Sequence, residues 1–280
     1  MKPTRWGEAH MSRPPDNDLD EILRELRLPR VRATWPEWVD RAAREGWSST
    51  ELLSNLFSDE WSNRQESRLR RLSSQAGFPF DGSIEQFDFR CRPELRRAVF
   101  QTYLEDSFVK QGRSLVLIGP PGLGKTHLAV AVGLQAISRQ CDVRFVVTQA
   151  LLNRVLGADG PRERERLLGP YKRCDLLILD EFGYLIPEAG AGPLLYEIIA
   201  ARYERRATVI TSNKSLTEWS RVVQDAALAE ALVDRLMHHG DVYYLKGESY
   251  RLKGKERRPS RPAGPAVLPE DVDSHATDKS

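Results

Sequence analysis

The sequence predicts an α/β protein whose core is a mostly parallel five-stranded sheet, preceded by a small all-helical domain. Over residues 84–253, short apolar runs alternate with helical stretches, which is typical of a parallel sheet covered by helices on both faces. Residues 19–76 instead carry apolar side chains at intervals of three and four, the spacing of amphipathic helices. Gly77-Phe-Pro-Phe-Asp-Gly-Ser separates the two regions, so we predict a linker at residues 77–83.

The composition fits a folded protein that works inside the cell. The 280 residues, of which 40% are hydrophobic, suffice for one α/β domain and a smaller second unit. A net charge of +2 neither requires nor excludes nucleic acid as a partner. No apolar run approaches the roughly 20 residues that cross a bilayer, and no apolar stretch follows Lys2 and Arg5 as in a signal peptide. We therefore expect a cytoplasmic protein with no membrane partner, and free thiols at Cys91, Cys141 and Cys174.

Three helices are predicted in the all-helical domain at residues 19–76. The first carries an amphipathic stripe formed by Leu19, Ile22, Leu23 and Leu26. Pro36 is predicted in the first turn of the second helix, and Ser49 as the N-cap of the third. The tryptophans of this region are expected in its core: Trp35, Trp38, Trp47 and Trp61. Polar composition predicts disorder at residues 1–18 and in the tail at 254–280.

The region at 84–253 is expected to form one domain of alternating strands and helices. Strands are predicted at residues 114–118, 143–147, 176–179, 208–211 and 242–245. Helices are predicted at residues 124–138, 194–203 and 226–238, and Thr148 is expected to cap a further helix. In such sheets, ligands bind at the carboxyl ends of the strands. Motifs that follow these strands are therefore the candidates for a site.

A glycine-rich motif lies between the first predicted strand and the next helix. Gly119-Pro120-Pro121-Gly122-Leu123-Gly124-Lys125-Thr126 matches the pattern G-x-x-x-x-G-K-[ST] at every fixed position. Its glycines let backbone N–H groups surround phosphate oxygens at the positive end of a helix dipole. Lys125 is expected to reach the β- and γ-phosphates, and Thr126 to offer its hydroxyl to Mg²⁺. The alternative is a plain glycine turn, and the strand–loop–helix context favours a site for ATP over it.

A second motif, Leu176-Leu-Ile-Leu-Asp180-Glu181, predicts a buried strand that ends in two acidic residues. Alone, such a run is often only a strand leaving the core. After a phosphate-binding loop and one intervening strand, it predicts that Asp180 belongs to the Mg²⁺ shell and that Glu181 polarises the attacking water. A phosphotransferase does not need a carboxylate there, whereas a hydrolase does. The pair therefore favours an ATPase.

Two further residues are candidates for catalysis. Asn213 follows the fourth predicted strand and would lie near the γ-phosphate, where it helps to orient the water. An ordinary polar strand end is the alternative. Arg235 lies on a helix after that strand, off the apolar face marked by Leu232 and Leu236. It is either part of a surface ion pair with Asp234 or an arginine finger that reaches the ATP of a neighbouring subunit.

The chain resembles the IstB-like ATP-binding proteins, the transposition helper ATPases of insertion sequences. These are related to the DnaC-type helicase loaders within the AAA+ group. The resemblance runs from about Leu19 to Arg251. Besides the two motifs above, it depends on Arg202-Tyr-Glu-Arg-Arg, Thr211-Ser-Asn-Lys, Asp234-Arg235-Leu and Gly247-Glu-Ser-Tyr-Arg251.

This resemblance implies an AAA+ P-loop core without a C-terminal lid. It implies a Walker A site at Gly119–Thr126, a Walker B site at Asp180 and Glu181, a sensor at Asn213 and an arginine finger at Arg235. It also implies ATP-dependent self-assembly on duplex DNA, DNA bending, and recruitment or stimulation of a partner transposase. ATP hydrolysis would then take place at subunit interfaces of a homo-oligomer.

Several arginines are candidates for contacts to DNA phosphates: Arg64, Arg68, Arg70, Arg71, Arg202, Arg205 and Arg206. Arginine clusters on helices are more often solvated faces, and the resemblance shifts the interpretation toward DNA. His238 and His239 follow the helix of Arg235 and are expected to neutralise its C-terminal end rather than to bind a metal.

Two other functions compete with the transposition helper. A helicase-loader-like ATPase adaptor would act on a replicative helicase, and the position of the gene beside a transposase reading frame would separate the two. A small-molecule kinase would need an acceptor pocket and a mobile arginine-rich lid, and the sequence indicates neither.

Overall fold

The computed structural model describes residues 19–184 and 190–250, and the predictions for residues 1–18, for Arg251 and for the tail at 254–280 lie outside them. The helices of the first unit are α1 (Leu19–Glu25), α2 (Pro29–Glu45) and α3 (Ser49–Ala76). The helices that follow are α4 (Arg97–Phe100), α5 (Asp106–Lys110), α6 (Lys125–Ser138), α7 (Thr148–Leu156), α8 (Gly160–Arg173), α9 (Ala191–Arg202), α10 (Trp219–Val223) and α11 (Ala226–His238). Among the described residues, no helix combines the length and the apolar character needed to cross a bilayer.

In the described residues, five strands form one sheet: β1 (Ser114–Ile118), β2 (Val143–Val147), β3 (Leu176–Asp180), β4 (Ala207–Ser212) and β5 (Gly240–Tyr244). Their order is β2-β3-β4-β1-β5, and each neighbouring pair is parallel. This confirms the predicted α/β fold. We call the end of the sheet where the strands finish the carboxyl edge, and the opposite end the amino edge. At the carboxyl edge β4 lies between β1 and β3, so the segments after these strands meet there.

The bounds of β1 and β2 agree with those predicted, and β5 starts two residues earlier than predicted. Gly240 pairs with Ser114 and Asp241 with Leu115. Pairing with β1 therefore places in the sheet two residues of low intrinsic strand propensity. Side chains alternate between the two faces of each strand. In β1, Leu115 and Leu117 belong to one buried cluster, and Val116 and Ile118 belong to the other. A covered face on both sides explains why every residue of β1 is buried.

Two predictions for the helical unit are wrong. Pro29, not Pro36, lies in the first turn of α2, and Pro36 lies inside the helix, where it removes one backbone hydrogen bond. Ser48, not Ser49, is the N-cap of α3: its hydroxyl accepts from the Glu51 N–H, and the Glu51 carboxylate accepts from the Ser48 N–H. This reciprocal capping box starts a helix of 28 residues.

A small core holds α1, α2 and α3 together. Leu23, Val31 and Leu56 are buried in it, with Trp35 and Trp38 packed against them. Trp61 is 65% exposed, so its predicted place in the core is wrong. It lies on a face of α3 that no described residue covers.

Glu60 of α3 lies buried beneath the start of α2. Its carboxylate accepts from the backbone N–H groups of Arg30 and Val31 and from Nε of Arg64. Burial opposes ionisation, but these hydrogen bonds together hold the pKa of Glu60 below its usual range. The far end of α3 contacts β2 and α6, and Leu72 joins the cluster that contains β1. The long helix therefore connects the helical unit to the sheet.

Candidate functional site

The glycine-rich loop at 119–126 joins β1 to α6 at the carboxyl edge. Gly122 and Gly124 have φ angles of 79° and 90°, a region that residues with side chains rarely adopt. A Cβ at Gly122 would lie 2.0 Å from Ser249 Oγ, and one at Gly124 would lie 2.6 Å from Phe87 Cε2. Both the backbone angle and the close approach of neighbours therefore require glycine. The loop is a tight cradle at the N-terminus of α6.

Lys125 opens α6 directly after this cradle. Its Nζ donates to the carbonyl oxygens of Gly119 and Pro120, at 2.7 Å and 2.8 Å. The ammonium group is thus held over the loop that leads to it. A positive charge lies where the phosphate-binding motif predicts one.

Asp180 ends β3 and is 4% exposed. Thr126 Oγ1 donates to its carboxylate, 3.0 Å from Oδ1 and 3.2 Å from Oδ2, and the Thr211 hydroxyl also donates to Oδ1. The fold therefore brings together the two residues predicted to ligate Mg²⁺. Thr148 was expected to cap α7, but Val147 occupies that position and the Thr148 hydroxyl donates to the Asp180 carbonyl at 2.8 Å. The threonine thus anchors the end of β3.

Glu181 follows Asp180 and is exposed at the carboxyl edge. Its φ angle of 59° is unusual for a residue other than glycine. The Glu181 N–H donates to Thr211 Oγ1 at 3.0 Å, so one hydroxyl at the end of β4 holds both acidic residues. Strain of this kind persists only where the surroundings enforce it. The turn brings Glu181 to the same cavity as the glycine-rich loop.

Asn213 follows β4, between the ends of β1 and β3. Its Oδ1 is buried and has no hydrogen-bond partner among the described residues. A Cβ at Gly183 would lie 2.0 Å from this oxygen, so only glycine lets the chain pass there. A buried amide oxygen without a partner is costly and points to a missing polar group. The prediction of a polar sensor at this position is consistent with that geometry.

A cavity of about 560 Å³ joins these residues. It is lined by the loop, by Asp180, Glu181 and Asn213, and by a set that the sequence analysis missed: Phe87, Asp88, Cys91, Arg92 and Tyr250.

The missed residues enclose the loop from outside. Arg92 is buried and donates from Nε to the Leu123 carbonyl at 3.2 Å and from Nη2 to the Glu248 carbonyl at 3.0 Å. The Tyr250 N–H donates to the Gly122 carbonyl at 2.9 Å. A buried arginine with carbonyl partners carries no periodic pattern, so the sequence offered no signal for it.

A nucleoside triphosphate with a divalent cation fits these residues. The loop offers a cradle that any Cβ would fill, and Lys125 adds a cation beside it. Thr126 and Asp180 supply hard oxygen donors, which Mg²⁺ prefers. Asn213 adds a buried acceptor for which residues 19–184 and 190–250 provide no partner.

Arg235 lies elsewhere, so the structure does not bring it to the other predicted catalytic residues. It lies in the last turn of α11, which ends at His238, and only His239 separates that helix from the start of β5 at the amino edge. Its guanidinium lies 4.7 Å from the centre of the Tyr196 ring and 5.8 Å from that of Tyr203. Nη1 donates to the Ala231 carbonyl at 3.1 Å. A strand of five residues is about 16 Å long, so the length of the sheet separates Arg235 at the amino edge from the cavity at the carboxyl edge.

Of the seven arginines predicted to contact DNA, six are accessible to solvent and one is buried. Arg64, Arg68, Arg70 and Arg71 are exposed along α3, and Arg205 and Arg206 are accessible in the turn between α9 and β4. Arg64 and Arg70 form ion pairs with Glu60 and Glu66 on their own helix. Arg68 reaches the Gln140 carbonyl before β2, so Arg68, Arg205 and Arg206 all lie near the amino edge.

Arg202 is 1% exposed, and the prediction of a phosphate contact for it is wrong. Its guanidinium donates to the carbonyl oxygens of Tyr171 at 2.7 Å and Cys174 at 2.9 Å, to the Ala207 carbonyl, and to Thr208 Oγ1 at 3.1 Å. Burial lowers the pKa of this guanidinium. Arg202 is a structural residue that joins α8, α9 and β4.

Known proteins similar to this chain are ATP-binding proteins of insertion sequences. A family model described as IstB-like ATP binding protein matches residues 21–258. An insertion-sequence ATP-binding protein of Sinorhizobium fredii is 36% identical over 256 residues, covering 88% of this chain and 86% of that protein. The ATP-binding protein of insertion sequence IS5376 from Geobacillus stearothermophilus is 35% identical over 237 residues, covering 85% and 94%.

Among solved structures, the replication initiator DnaA bound to AMPPCP and single-stranded DNA is similar, with a TM-score of 0.53 at 19% identity. The match covers 64% of this chain and 56% of that one. It shows that the two chains share the AAA+ P-loop fold.

Proposed function

The chain belongs to the family of IstB-like ATP-binding proteins, and from this membership we propose that it is an ATP-dependent transposition helper. It binds ATP with Mg²⁺, self-assembles on duplex DNA and recruits or stimulates a partner transposase. ATP hydrolysis takes place where subunits meet. The observation that carries the proposal is the contact of Thr126 with Asp180 beside the glycine cradle. This contact links the glycine-rich loop to the end of β3, which supports a combined phosphate and metal site there.

The triphosphate would lie in the cradle at the start of α6. Backbone N–H groups of the loop and the helix dipole favour its negative charge. Lys125 would exchange its carbonyl contacts with Gly119 and Pro120 for phosphate oxygens. Mg²⁺ held by Thr126 and Asp180 would neutralise charge on those oxygens when bound. The adenosine would occupy the part of the cavity formed by Phe87, Cys91, Arg92 and Tyr250.

Hydrolysis would begin with a water molecule beside Glu181. The carboxylate would accept a proton from that water as the water oxygen bonds to the γ-phosphorus and the bond to the bridging oxygen breaks, so that ADP leaves. Asn213 would orient the water or the phosphate from between the two strands. The hydrogen bond from the Glu181 N–H to Thr211 keeps the base next to the metal ligands. Each residue acts from the segment that follows a neighbouring strand.

Arg235 would complete the site of a neighbouring subunit. The length of the sheet separates it from the cavity of its own chain, so the two can meet only between subunits. An arginine supplied in this way accelerates hydrolysis by about 10³–10⁵-fold. Assembly and hydrolysis would then be coupled.

Duplex DNA would lie along accessible arginines: Arg64, Arg68, Arg70, Arg71, Arg205 and Arg206. Contacts of this kind release counterions and give a strong dependence on salt. The relatives named as insertion-sequence proteins support a transposase as the partner over a replicative helicase.

The test is ATP hydrolysis by the purified protein, with and without duplex DNA, across protein concentration and salt. We expect a rate that increases with DNA, increases more than linearly with protein, and falls as salt increases. A rate that is linear in protein and indifferent to DNA would indicate a self-contained ATPase and contradict the proposal.

A further inference from the structure

Three metal-binding side chains meet at the amino edge of the sheet, away from the proposed nucleotide site. Glu204 lies in the turn after α9, His238 is the last residue of α11, and His239 follows it. Glu204 Oε1 is 3.3 Å from His238 Nδ1 and 3.4 Å from His239 Nε2. The three ligand atoms all lie within 4.8 Å of one another.

These distances match the coordination geometry of zinc. Zinc bonds nitrogen and carboxylate oxygen at about 2.0–2.1 Å in a tetrahedron, which sets neighbouring ligand atoms about 3.3–3.4 Å apart. Both separations from Glu204 have that value already. The third separation, between the two ring nitrogens, is within 4.8 Å, and a bound ion would set it to the same tetrahedral value.

The backbone holds the donors in place. Glu204 has a φ angle of 57°, in the left-handed region that a residue other than glycine rarely adopts. The turn is anchored by hydrogen bonds from the N–H groups of Arg205 and Arg206 to the Arg202 carbonyl, and Arg202 itself is buried. On the other side, the histidines join α11 directly to β5. The donors thus come from two well-anchored segments rather than from a free loop.

Glu204 supplies the negative charge of the cluster. Within the described residues, the ion-pair partners of Glu204 are the two histidines. The nearby carboxylate of Asp241 is already engaged by Arg113 at 2.7 Å and by the Tyr103 hydroxyl at 2.8 Å. A cavity of about 540 Å³ opens over the cluster and leaves room for a water ligand.

We propose that Glu204, His238 and His239 bind a divalent first-row transition metal ion, with Zn²⁺ as the probe and water in the fourth position. This replaces the expectation that the histidine pair only neutralises a helix end. Glu204 precedes His238 by more than thirty residues, so no local spacing motif indicates the site.

A bound metal would tie the end of α11 to the turn after α9. The Tyr203 hydroxyl lies 2.8 Å from His238 Nδ1, and the Tyr203 ring lies beneath Arg235. Coordination of a metal ion by Nδ1 would displace that hydroxyl, so metal binding would act on the surroundings of Arg235. That consequence rests on the proposed function of Arg235, whereas metal binding itself does not.

The experiment is a calorimetric titration of the metal-free full chain with Zn²⁺ alone, without nucleotide or DNA. We expect one saturable site per chain and a higher melting temperature with Zn²⁺. Loss of an outer-shell partner already weakens metal sites about 10–100-fold, so Glu204→Gln and His239→Ala should each weaken binding by at least about 100-fold. Glu230→Gln, which removes an exposed carboxylate from the same helix, is the matched control and should bind like the unchanged protein.

Two results would overturn the proposal. One is the absence of saturable binding by the unchanged chain. The other is unchanged affinity in the double variant His238→Ala/His239→Ala, which would assign the metal to other histidines or to thiols. Circular dichroism establishes that each variant is folded, which we expect because the three side chains are exposed. Since no readout uses ATP, failure here leaves the proposed function standing, and the reverse also holds.

Discussion

Single residues at the carboxyl edge have separate tasks. Asp180 is held by the hydroxyls of Thr126 and Thr211. Glu181 is held through its backbone N–H, and its side chain is exposed, as the proposed base requires. Beside them, Asn213 buries an oxygen that has no partner in the described part of the chain. This division predicts that binding and hydrolysis can be removed independently.

Lys125→Ala should lose ATP binding and assembly together. Each hydrogen bond to a charged group contributes about 1.5–3 kcal/mol. Losing two phosphate contacts should therefore reduce the binding free energy of ATP by at least about 3 kcal/mol, which lowers its affinity more than about 100-fold. Fluorescent-nucleotide titration and sedimentation on DNA measure the two effects. Lys110→Ala, an exposed lysine at the amino edge, is the control. Normal nucleotide affinity in Lys125→Ala would remove Lys125 from the phosphate site.

Glu181→Gln should keep ATP binding but slow hydrolysis. General base catalysis contributes about 10²–10⁴-fold, so the rate should fall by that factor while complexes with DNA persist. Steady-state phosphate release and dissociation from DNA are the measurements. Hydrolysis at the normal rate would show that another group is the base.

Arg202→Met should destabilise the fold instead of weakening DNA binding. It would leave several buried carbonyl oxygens without donors, at a cost of about 2–4 kcal/mol in the free energy of unfolding. Urea denaturation measures this, with Arg205→Met as the exposed control. Unchanged stability combined with a smaller salt dependence of DNA binding would restore Arg202 as a phosphate contact.

At the scale of elements, strand order positions the site. Because β4 lies between β1 and β3, the residues after it reach both the glycine-rich loop and Asp180. The segment of Arg92 and the one of Tyr250 close on the loop from outside. The long helix α3 connects this core to the helical unit. The capping box at its start should therefore contribute to the stability of the whole chain.

Ser48→Ala should lower the free energy of unfolding by about 1 kcal/mol, because it removes the side-chain cap of α3. Thermal unfolding monitored by circular dichroism measures the change. Ser49→Ala is the matched control, since Ser49 lies inside the helix and caps nothing. A larger loss in Ser49→Ala than in Ser48→Ala would contradict the assignment of the cap.

At the scale of the whole molecule, the two edges of the sheet have different proposed partners. The cavity proposed for the nucleotide opens at the carboxyl edge. Toward the amino edge lie Arg235 and three of the accessible arginines: Arg68, Arg205 and Arg206. Under the proposed function, Arg235 lies too far from the cavity of its own chain to contact ATP bound there. An assembly in which the edge of one subunit meets the cavity of the next would allow that contact.

Arg235→Ala should bind ATP normally but lose assembly-dependent hydrolysis, by about 10³-fold or more. Mixing it with Glu181→Gln should restore part of the rate, because a Glu181→Gln subunit can supply Arg235 to a neighbour whose Glu181 is intact. ATPase assays over a series of mixing ratios measure the recovery. No recovery at any ratio would count against an arginine supplied between subunits.

The local sequence determined the parts of this protein that depend on neighbouring residues. The parallel sheet, the bounds of β1 and β2, the glycine-rich loop and the Asp180-Glu181 pair were all predictable, since apolar periodicity and a contiguous motif encode them. The tertiary structure decided which distant residues meet. Arg202 is buried because β4 and α8 close around it, and Arg92 reaches the loop across the chain. Glu204 joins His238 through the packing of a turn against a helix end, and such contacts leave no periodic trace in the chain.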